Sequence, residues 1–332
     1  MTSPQTSPAP EASARPEASR ATVIANPTKV DDDTKAEVQD ALAAAGWTCS
    51  WLETTADDSG RRRGQEAVDA GSDLVIVMGG DGTVMACLGA VAGTGTPLAI
   101  LPVGTGNLLA HHLGVPTKLA DALAVATSGV DRPLDVGRVE DNCYAVMAGI
   151  GFDAVMLDDA AEGTKRRLGW LAYVLAGLRH LRDRRFTATI RLDGGPPLRR
   201  RARSVLVGNI GTLQGGLPLI PDAKPDDGVL DVAILAPRTV PDWLRLGVQL
   251  IRRQPSSSST LLECHRAKQI SIRVNRRQPR ELDGEVIEPG TGIDITVDPR
   301  AVLVRVTSEA LAAANDATAE PAAVDAAAAG AA

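Results

Sequence analysis

The stretch Leu74–Val84, LVIVMGGDGTV, decides the fold. Apolar residues run without alternation from Leu74 to Met78, as expected of a strand buried on both faces of a parallel sheet. The run ends in Gly79-Gly80-Asp81-Gly82-Thr83, and apolar residues then resume at helical spacing. Glycines there let the backbone approach a ligand closely, and a helix N-terminus presents free N–H groups and a positive dipole end. Together they suit phosphate. Asp81 does not bind phosphate by itself, because two anions repel. It has a place only if it holds Mg²⁺, orients a cationic or backbone donor, or takes a proton, and all three favour phosphoryl transfer over a simple anion nest.

Outward from this strand the same grammar repeats. RATVIANP predicts a strand over 21–25 stopped by Asn26-Pro27, and DDTKAEVQDALAAAGW predicts a helix with acids at its start and Gly46 at its end. TCSWLET reads as a strand, GRRRGQEAVDAG as a helix, PLAILPVG as a strand and NLLAHHLG as the start of a helix. Strand and helix alternating at this spacing predict a doubly wound α/β domain over 21–133. From Leu134 onward the runs shorten and Gly and Pro turns separate them, which predicts an antiparallel, β-sandwich-like second domain over 134–306. Residues 1–20 are rich in Pro, Ser, Ala and Glu and read as a disordered tail. Residues 307–332 read as an Ala-rich tail, disordered or fraying as a helix.

Composition excludes several classes. The four cysteines are widely spaced and form no CxxC pair, which argues against a zinc site or a disulfide framework. The longest weakly charged stretch is broken by glycines, prolines and Asp81, so it does not read as a membrane span. The net charge of −6 is uneven: acids outnumber bases by more than two to one up to residue 160, and bases prevail beyond it. Nucleic acid is disfavoured by the acidic half and the scarcity of aromatics. Neither GxGxxG nor GxxxxGK[ST] occurs, so the dinucleotide and Walker patterns do not apply.

Four glycine-rich or turn segments fall at the carboxyl ends of predicted strands, where ligands bind in open α/β sheets. They are Asn26-Pro27-Thr28, Gly79–Thr83, Gly104-Thr105-Gly106-Asn107, and Gly149–Asp153. Thr83 and Thr105 supply hydroxyls. In the second half, the DDG of residues 226–228 reads as a turn before a strand, and Asp283-Gly284 as a hairpin turn.

GGDGT followed by PVGTGNLLA resembles the diacylglycerol kinase catalytic domain family of lipid kinases, which includes sphingosine and ceramide kinases and is more distantly similar to NAD kinases and phosphofructokinases. The resemblance spans roughly residues 20–306. It also takes in NPT at Asn26, GNIGTLQGGLPLIPDAKPDDGVLDV from Gly208, and LDGE at Leu282–Glu285. It implies two domains with a cleft between them. ATP would be bound through Asn26, Thr28, Thr54, Gly79, Gly80, Asp81, Gly82, Thr83, Gly104, Thr105 and Asn107. The family's structural Mg²⁺ loop would correspond to Asp227 with the carbonyls of Lys224 and Val229, a hard-oxygen donor set that suits this cation. Glu285 and Asp283 are then base candidates for the acceptor hydroxyl, with Asp81 as the rival, and the three are not ranked. The family's glycine after NPT is replaced by Lys29 and Val30, and Lys29 either approaches a phosphate or is solvated.

The resemblance thus implies an ATP- and Mg²⁺-dependent lipid kinase, with diacylglycerol the leading acceptor. A sphingoid base, a soluble acceptor as in NAD kinases, and a non-catalytic nucleotide-binding regulator are the alternatives. A cytoplasmic enzyme peripheral to an anionic inner membrane face follows, touching it through KRRLGWLAYVLAGLRHLRDRR or WLRLGVQLIRRQPSSSST. A homodimer is compatible with this reading.

Overall fold

A computed structural model describes residues 19–104, 106–151, 185–213, 217–220, 223–251 and 261–319. The first half alternates as its sequence predicts: β1 (Arg20–Ala25), α1 (Asp32–Ala44), β2 (Thr48–Glu53), α2 (Arg61–Asp69), β3 (Leu74–Gly79), α3 (Asp81–Val91), β4 (Leu98–Pro102), α4 (Leu108–His112) and α5 (Leu119–Ser128). Strands β2, β1, β3 and β4 lie side by side in that order, all parallel. Every residue of β3 is buried, because helices cover both faces of this part of the sheet. Cutting Ile76 to alanine would leave a cavity costing about 2–5 kcal/mol. Helix α1 begins where the Asp31 carboxylate accepts the Thr34 N–H at 2.9 Å, with Asp32 and Asp33 favourable at the positive end of the dipole. Helices α2 and α3 approach closely because Gly64 has no side chain: a Cβ there would stand 2.6 Å from that of Ala90.

The second half supplies β5 (Val130–Val139), β6 (Asn142–Tyr144), β7 (Met147–Gly151), β8 (Phe186–Leu192), β9 (Leu198–Ala202), β10 (Ser204–Gly208), β11 (Thr212–Leu213), β12 (Leu217–Pro218), β13 (Leu230–Leu235), α6 (Val240–Ile251), β14 (Leu262–Ala267), β15 (Gln269–Leu282), β16 (Glu285–Val306) and α7 (Ser308–Ala319). Strands β14, β13, β10, β7, β15 and β16 follow one another antiparallel. Phe186, Ile190, Val205, Val232, Ile270 and Ile295 share their core. The fold is therefore an N-terminal α/β domain joined to a C-terminal β-sandwich-like domain.

β16 joins the two. Its first residues pair with β15, its later ones with β5, and Val304 pairs in parallel with Leu98 of β4. Among the described residues, strands of both halves thus form one fourteen-stranded sheet. The register of β16 against β5 shifts between Asp298 and Val302, where Arg300 takes φ of 53°. The buried Asp135 carboxylate holds this irregularity, accepting the N–H groups of Arg300 at 2.7 Å and Gly228 at 2.6 Å.

Several local readings change. GIDITVD and AVLVRV are not separate strands but parts of β16, and β5 runs across position 133/134. Gly149 to Gly151 is not a turn: these residues lie within β7, where a Cβ at Gly149 would stand 2.8 Å from the Glu281 carboxylate. Phe152 and Asp153 lie outside the described residues, as do Thr105, the basic helix expected over 165–185 up to its last residue, and residues 320–332. The start of the Ala-rich terminus is helical, α7 running to Ala319. No helix among the described residues is long and apolar enough to cross a membrane.

Candidate active site

The parallel strands end at a common edge, and their turns converge there. Asn26 follows β1, its N–H bonding the Met78 carbonyl of β3 at 2.9 Å. Its side-chain oxygen accepts both the N–H and the hydroxyl of Thr28, at 3.0 and 2.8 Å, so it shapes the turn. Thr54 follows β2, buried, with its N–H on the Ala25 carbonyl at 2.9 Å. Gly79 and Gly80 follow β3. A Cβ on Gly79 would stand 2.5 Å from that of Thr83, whose side chain folds back over the turn. A Cβ on Gly80 would stand 2.8 Å from the Lys29 ammonium. Lys29 therefore reaches across from the first turn onto the second.

The turn after β4 closes against the turn after β3. A Cβ on Gly104 would stand 2.7 Å from the Gly80 Cα. Asn107 is left-handed, with φ of 46°. Its side-chain oxygen accepts the Gly104 N–H at 3.1 Å and its amide donates to the Gly104 carbonyl at 2.6 Å. Both ends of that amide therefore hold the turn. Asp81 completes the pairing: its carboxylate accepts the Leu108 N–H at 2.6 Å, bridging the first turns of α3 and α4. Of the roles open to an acid among glycines, orienting a backbone donor is the one this contact fulfils.

Two further acids arrive from the other half. Leu282 and Glu285 pair across a hairpin whose two central residues, Asp283 and Gly284, have φ of 49° and 90°. Such a turn needs positive φ at both positions, which Asp-Gly tolerates. The Asp283 carboxylate accepts three backbone N–H groups, from Ala145 at 2.8 Å, Val146 at 2.9 Å and Met147 at 2.7 Å. Burial pushes this carboxyl up to about 7; the three N–H groups oppose the rise and the nearby Asp81 charge adds to it. Glu285, exposed at the start of β16, lies over α3, where a Cβ on Gly82 would overlap its carboxylate. The structure thus brings Asp81, Asp283 and Glu285 together around the first turn of α3.

Beside them is a pocket of about 200 Å³ lined by Gly82, Met85, Arg61, Arg138, Asp283 and Glu285, among others. Arg61 donates to the Asn142 side chain and the Asp141 carbonyl, both uncharged, whereas Arg138 is neutralised by Asp298 at 2.6 Å. Sequence reasoning missed both arginines. Arg61 stands in a run of three whose directions no local pattern distinguishes, and Arg138 comes from a strand 77 positions further on.

The 224–229 loop lies at a separate place, against β5 and β14. Asp227 accepts the Val229 N–H at 3.2 Å and contacts the Arg266 guanidinium; Asp226 pairs with Arg132 at 2.9 Å. Asp226 Oδ1 is buried without a hydrogen-bond partner. Burial, with the charges of Asp227 and Asp226, pushes the Asp135 carboxyl up. Three carboxylates therefore crowd here, two of them paired with Arg132 and Arg266, so a hard divalent cation would take Asp227 in place of the guanidinium. No group of three or more His, Cys, Asp or Glu side chains is arranged for a metal among the described residues. One carboxylate with two backbone carbonyls is a different donor set.

A parallel sheet with glycine-rich ends faces an acid-bearing hairpin from a β-sandwich-like domain, and the relatives that share this arrangement are kinases with an alcohol acceptor. Residues 20–139 match the diacylglycerol kinase catalytic domain, and residues 145–306 match the YegS C-terminal NAD kinase beta sandwich-like domain. A Pseudomonas fluorescens protein named "Probable lipid kinase YegS-like" is 30% identical over 291 residues, covering 84% of this chain and 92% of its own. The diacylglycerol kinase of Bacillus subtilis is 28% identical over 253 residues, 75% of this chain and 83% of its own. The crystal structure of a diacylglycerol kinase from Bacillus anthracis superposes with a TM-score of 0.68 at 25% identity, covering 89% of this chain and all of that one. The chain belongs to the diacylglycerol kinase catalytic domain family.

Proposed function

We propose that this protein transfers the γ-phosphoryl group of ATP to a lipid hydroxyl, with diacylglycerol as acceptor and phosphatidic acid as product, at the surface of a membrane. The observation that carries the reading is the position of the Glu285 carboxylate over the first turn of α3, where the glycine-rich turns of the parallel sheet meet.

The triphosphate lies along Gly79–Gly82, at the positive end of the α3 dipole, and the Gly104 turn, whose own N–H is held by Asn107, closes beside it. The Lys29 ammonium beside Gly80 adds a positive charge. Asn26 and Asn107 hold the turns in shape, and Thr28, Thr54 and Thr83 line the nucleotide side. Glu285 takes the proton of the acceptor hydroxyl as its oxygen attacks the γ-phosphorus, the bond to the bridging oxygen breaks, and ADP leaves. A base needs a lone pair open to the acceptor. Asp283 commits its carboxylate to three backbone donors, whereas no described residue bonds that of Glu285. Asp283 is therefore a positioning residue that sets the hairpin, and Asp81 an organiser of the two turns.

Asp227, with the carbonyls of Lys224 and Val229, would hold a structural Mg²⁺. Mg²⁺ supplies charge neutralisation at the phosphates when bound with the nucleotide.

The test is turnover of labelled ATP by the full chain over a panel of diacylglycerol, sphingosine and NAD. Labelled phosphatidic acid is the expected product. Label in NAD and in none of the lipids would overturn the reading.

A further inference from the structure

The large apolar side chains left exposed among the described residues are Val240, Leu244, Val248 and Val286. Three of these four stand on α6 at i, i+4 and i+8, so they form one stripe along one side of the helix. Leu244 is 48% exposed and Val248 43%, while Trp243 and Leu246 on the other side are buried in the core. The helix is anchored through one face and presents a second apolar face outward.

Arginines gather near the start of this helix, with Asp242 as the acid among them. Arg199 and Arg201 project exposed from β9, while Arg200 between them is neutralised by Glu263 at 2.6 Å. Arg238 stands two residues before α6, and Arg185 is close enough to both Arg238 and Arg201 that their repulsion, after desolvation, lowers its affinity for its proton, with Asp242 opposing them. Arg245 is exposed on α6 itself. A chain with net charge of −6 thus brings arginines from three separate segments, Arg185, Arg201 and Arg238, together beside the start of this helix.

We propose that the α6 ridge Val240-Leu244-Val248, with Arg199, Arg201 and Arg238, is the surface that docks on an anionic lipid bilayer. A helix with one apolar face beside basic residues lies in the interface plane, its apolar side chains among the acyl chains and its arginines at the headgroups. A second copy of the chain is a poorer occupant. Two such faces would set arginine against arginine, and three side chains fall well short of the roughly 800 Å² per partner of a stable interface. The choice of a bilayer rests on the lipid-kinase reading, but the test below reads binding, so the two fail separately.

Full-length protein is sedimented with vesicles of phosphatidylcholine alone and of phosphatidylcholine mixed with phosphatidylglycerol. Binding to the mixed vesicles, weakened by salt, is expected. Leu244→Glu with Val248→Glu should reduce partitioning at least about tenfold. Arg199→Gln with Arg201→Gln should reduce it about as much and flatten the salt dependence. Leu244→Met should bind as the wild type does. Both double variants should still phosphorylate acceptor dispersed in detergent, which separates loss of docking from loss of folding. Wild-type protein that ignores the mixed vesicles, arginine variants that bind them undiminished, or a dimer that Leu244→Glu dissociates would each overturn the proposal.

Discussion

Asp283 and Met147 are bonded to each other twice: the Met147 N–H donates to the Asp283 carboxylate at 2.7 Å, and the Asp283 N–H donates to the Met147 carbonyl at 2.8 Å. This reciprocal pair ties the acid-bearing hairpin to the start of β7. Asparagine at 283 keeps one oxygen but turns an NH₂ group toward backbone donors. Asp283→Asn should therefore destabilise the protein by about 1–3 kcal/mol. The pH dependence follows from the direction of the shift. The folded carboxyl titrates near 7 and the unfolded one near its ordinary value of 3.8, so over that window the native state binds more protons. This group's contribution to stability is greatest below about 4 and declines as pH rises to about 7. The loss on substitution should accordingly be larger at pH 5 than at pH 8, measured by urea unfolding.

Glu285→Gln keeps the size of the side chain and removes its basicity. Since residue 285 is exposed, the melting temperature should not change. The turnover number should fall by about 10²–10⁴, the usual contribution of a general base, with KM for ATP little altered. Steady-state kinetics at saturating acceptor check this.

Gly82→Ala should separate stability from activity. Gly82 lies inside α3, where alanine is favoured over glycine by about 0.5–1 kcal/mol. The added methyl would occupy the position of the Glu285 carboxylate, which must swing away into solvent. Thermal stability should be kept or raised while kcat drops by about tenfold or more. A variant both as stable and as active as the wild type would show that the contact between α3 and the hairpin does not matter to turnover.

Lys29→Ala should raise KM for ATP by about tenfold, the value of one charge-assisted contact, while kcat changes less. Lys29→Arg should recover most of the affinity, because the charge rather than the shape of the group faces Gly80. Titration with a non-hydrolysable ATP analogue gives the same comparison without turnover.

Mg²⁺ should raise the melting temperature in the absence of nucleotide, as any ligand of the folded state does. Asp227→Ala should abolish that increment. Arg266→Ala, which removes the guanidinium contacting Asp227, should leave it intact or enlarge it. Differential scanning fluorimetry over a Mg²⁺ series distinguishes these outcomes.

What could be read from the sequence was local. The unbroken Leu74–Met78 run, the punctuating glycines and the helical spacing between them are written within a few residues, and the α/β half follows from them. Asp-Gly at 283–284 announced its hairpin by the same logic. Other features depend on partners far away along the chain. Asp81 meets the N–H of Leu108, and Asp283 meets three N–H groups more than a hundred positions earlier, through backbone donors that carry no signature in residue type. Gly149 looked like part of a turn because glycine permits one, yet the structure uses its missing side chain to admit Glu281. Helix α5 was not foreseen, and its short, alanine-rich stretch offers little contrast between faces.

The pairing of Val304 with Leu98 also has a consequence in time. A chain emerging from the ribosome delivers β1 to β4 early, but the strand that flanks β4 comes last among the sheet's members. Contacts spanning some two hundred residues are slow to form, and an uncovered sheet edge invites wrong pairings until its neighbour arrives. The α/β half is thus begun first and finished last. Truncation just before residue 300 would strip the parallel sheet of its β4 neighbour as surely as it would shorten the β-sandwich-like half.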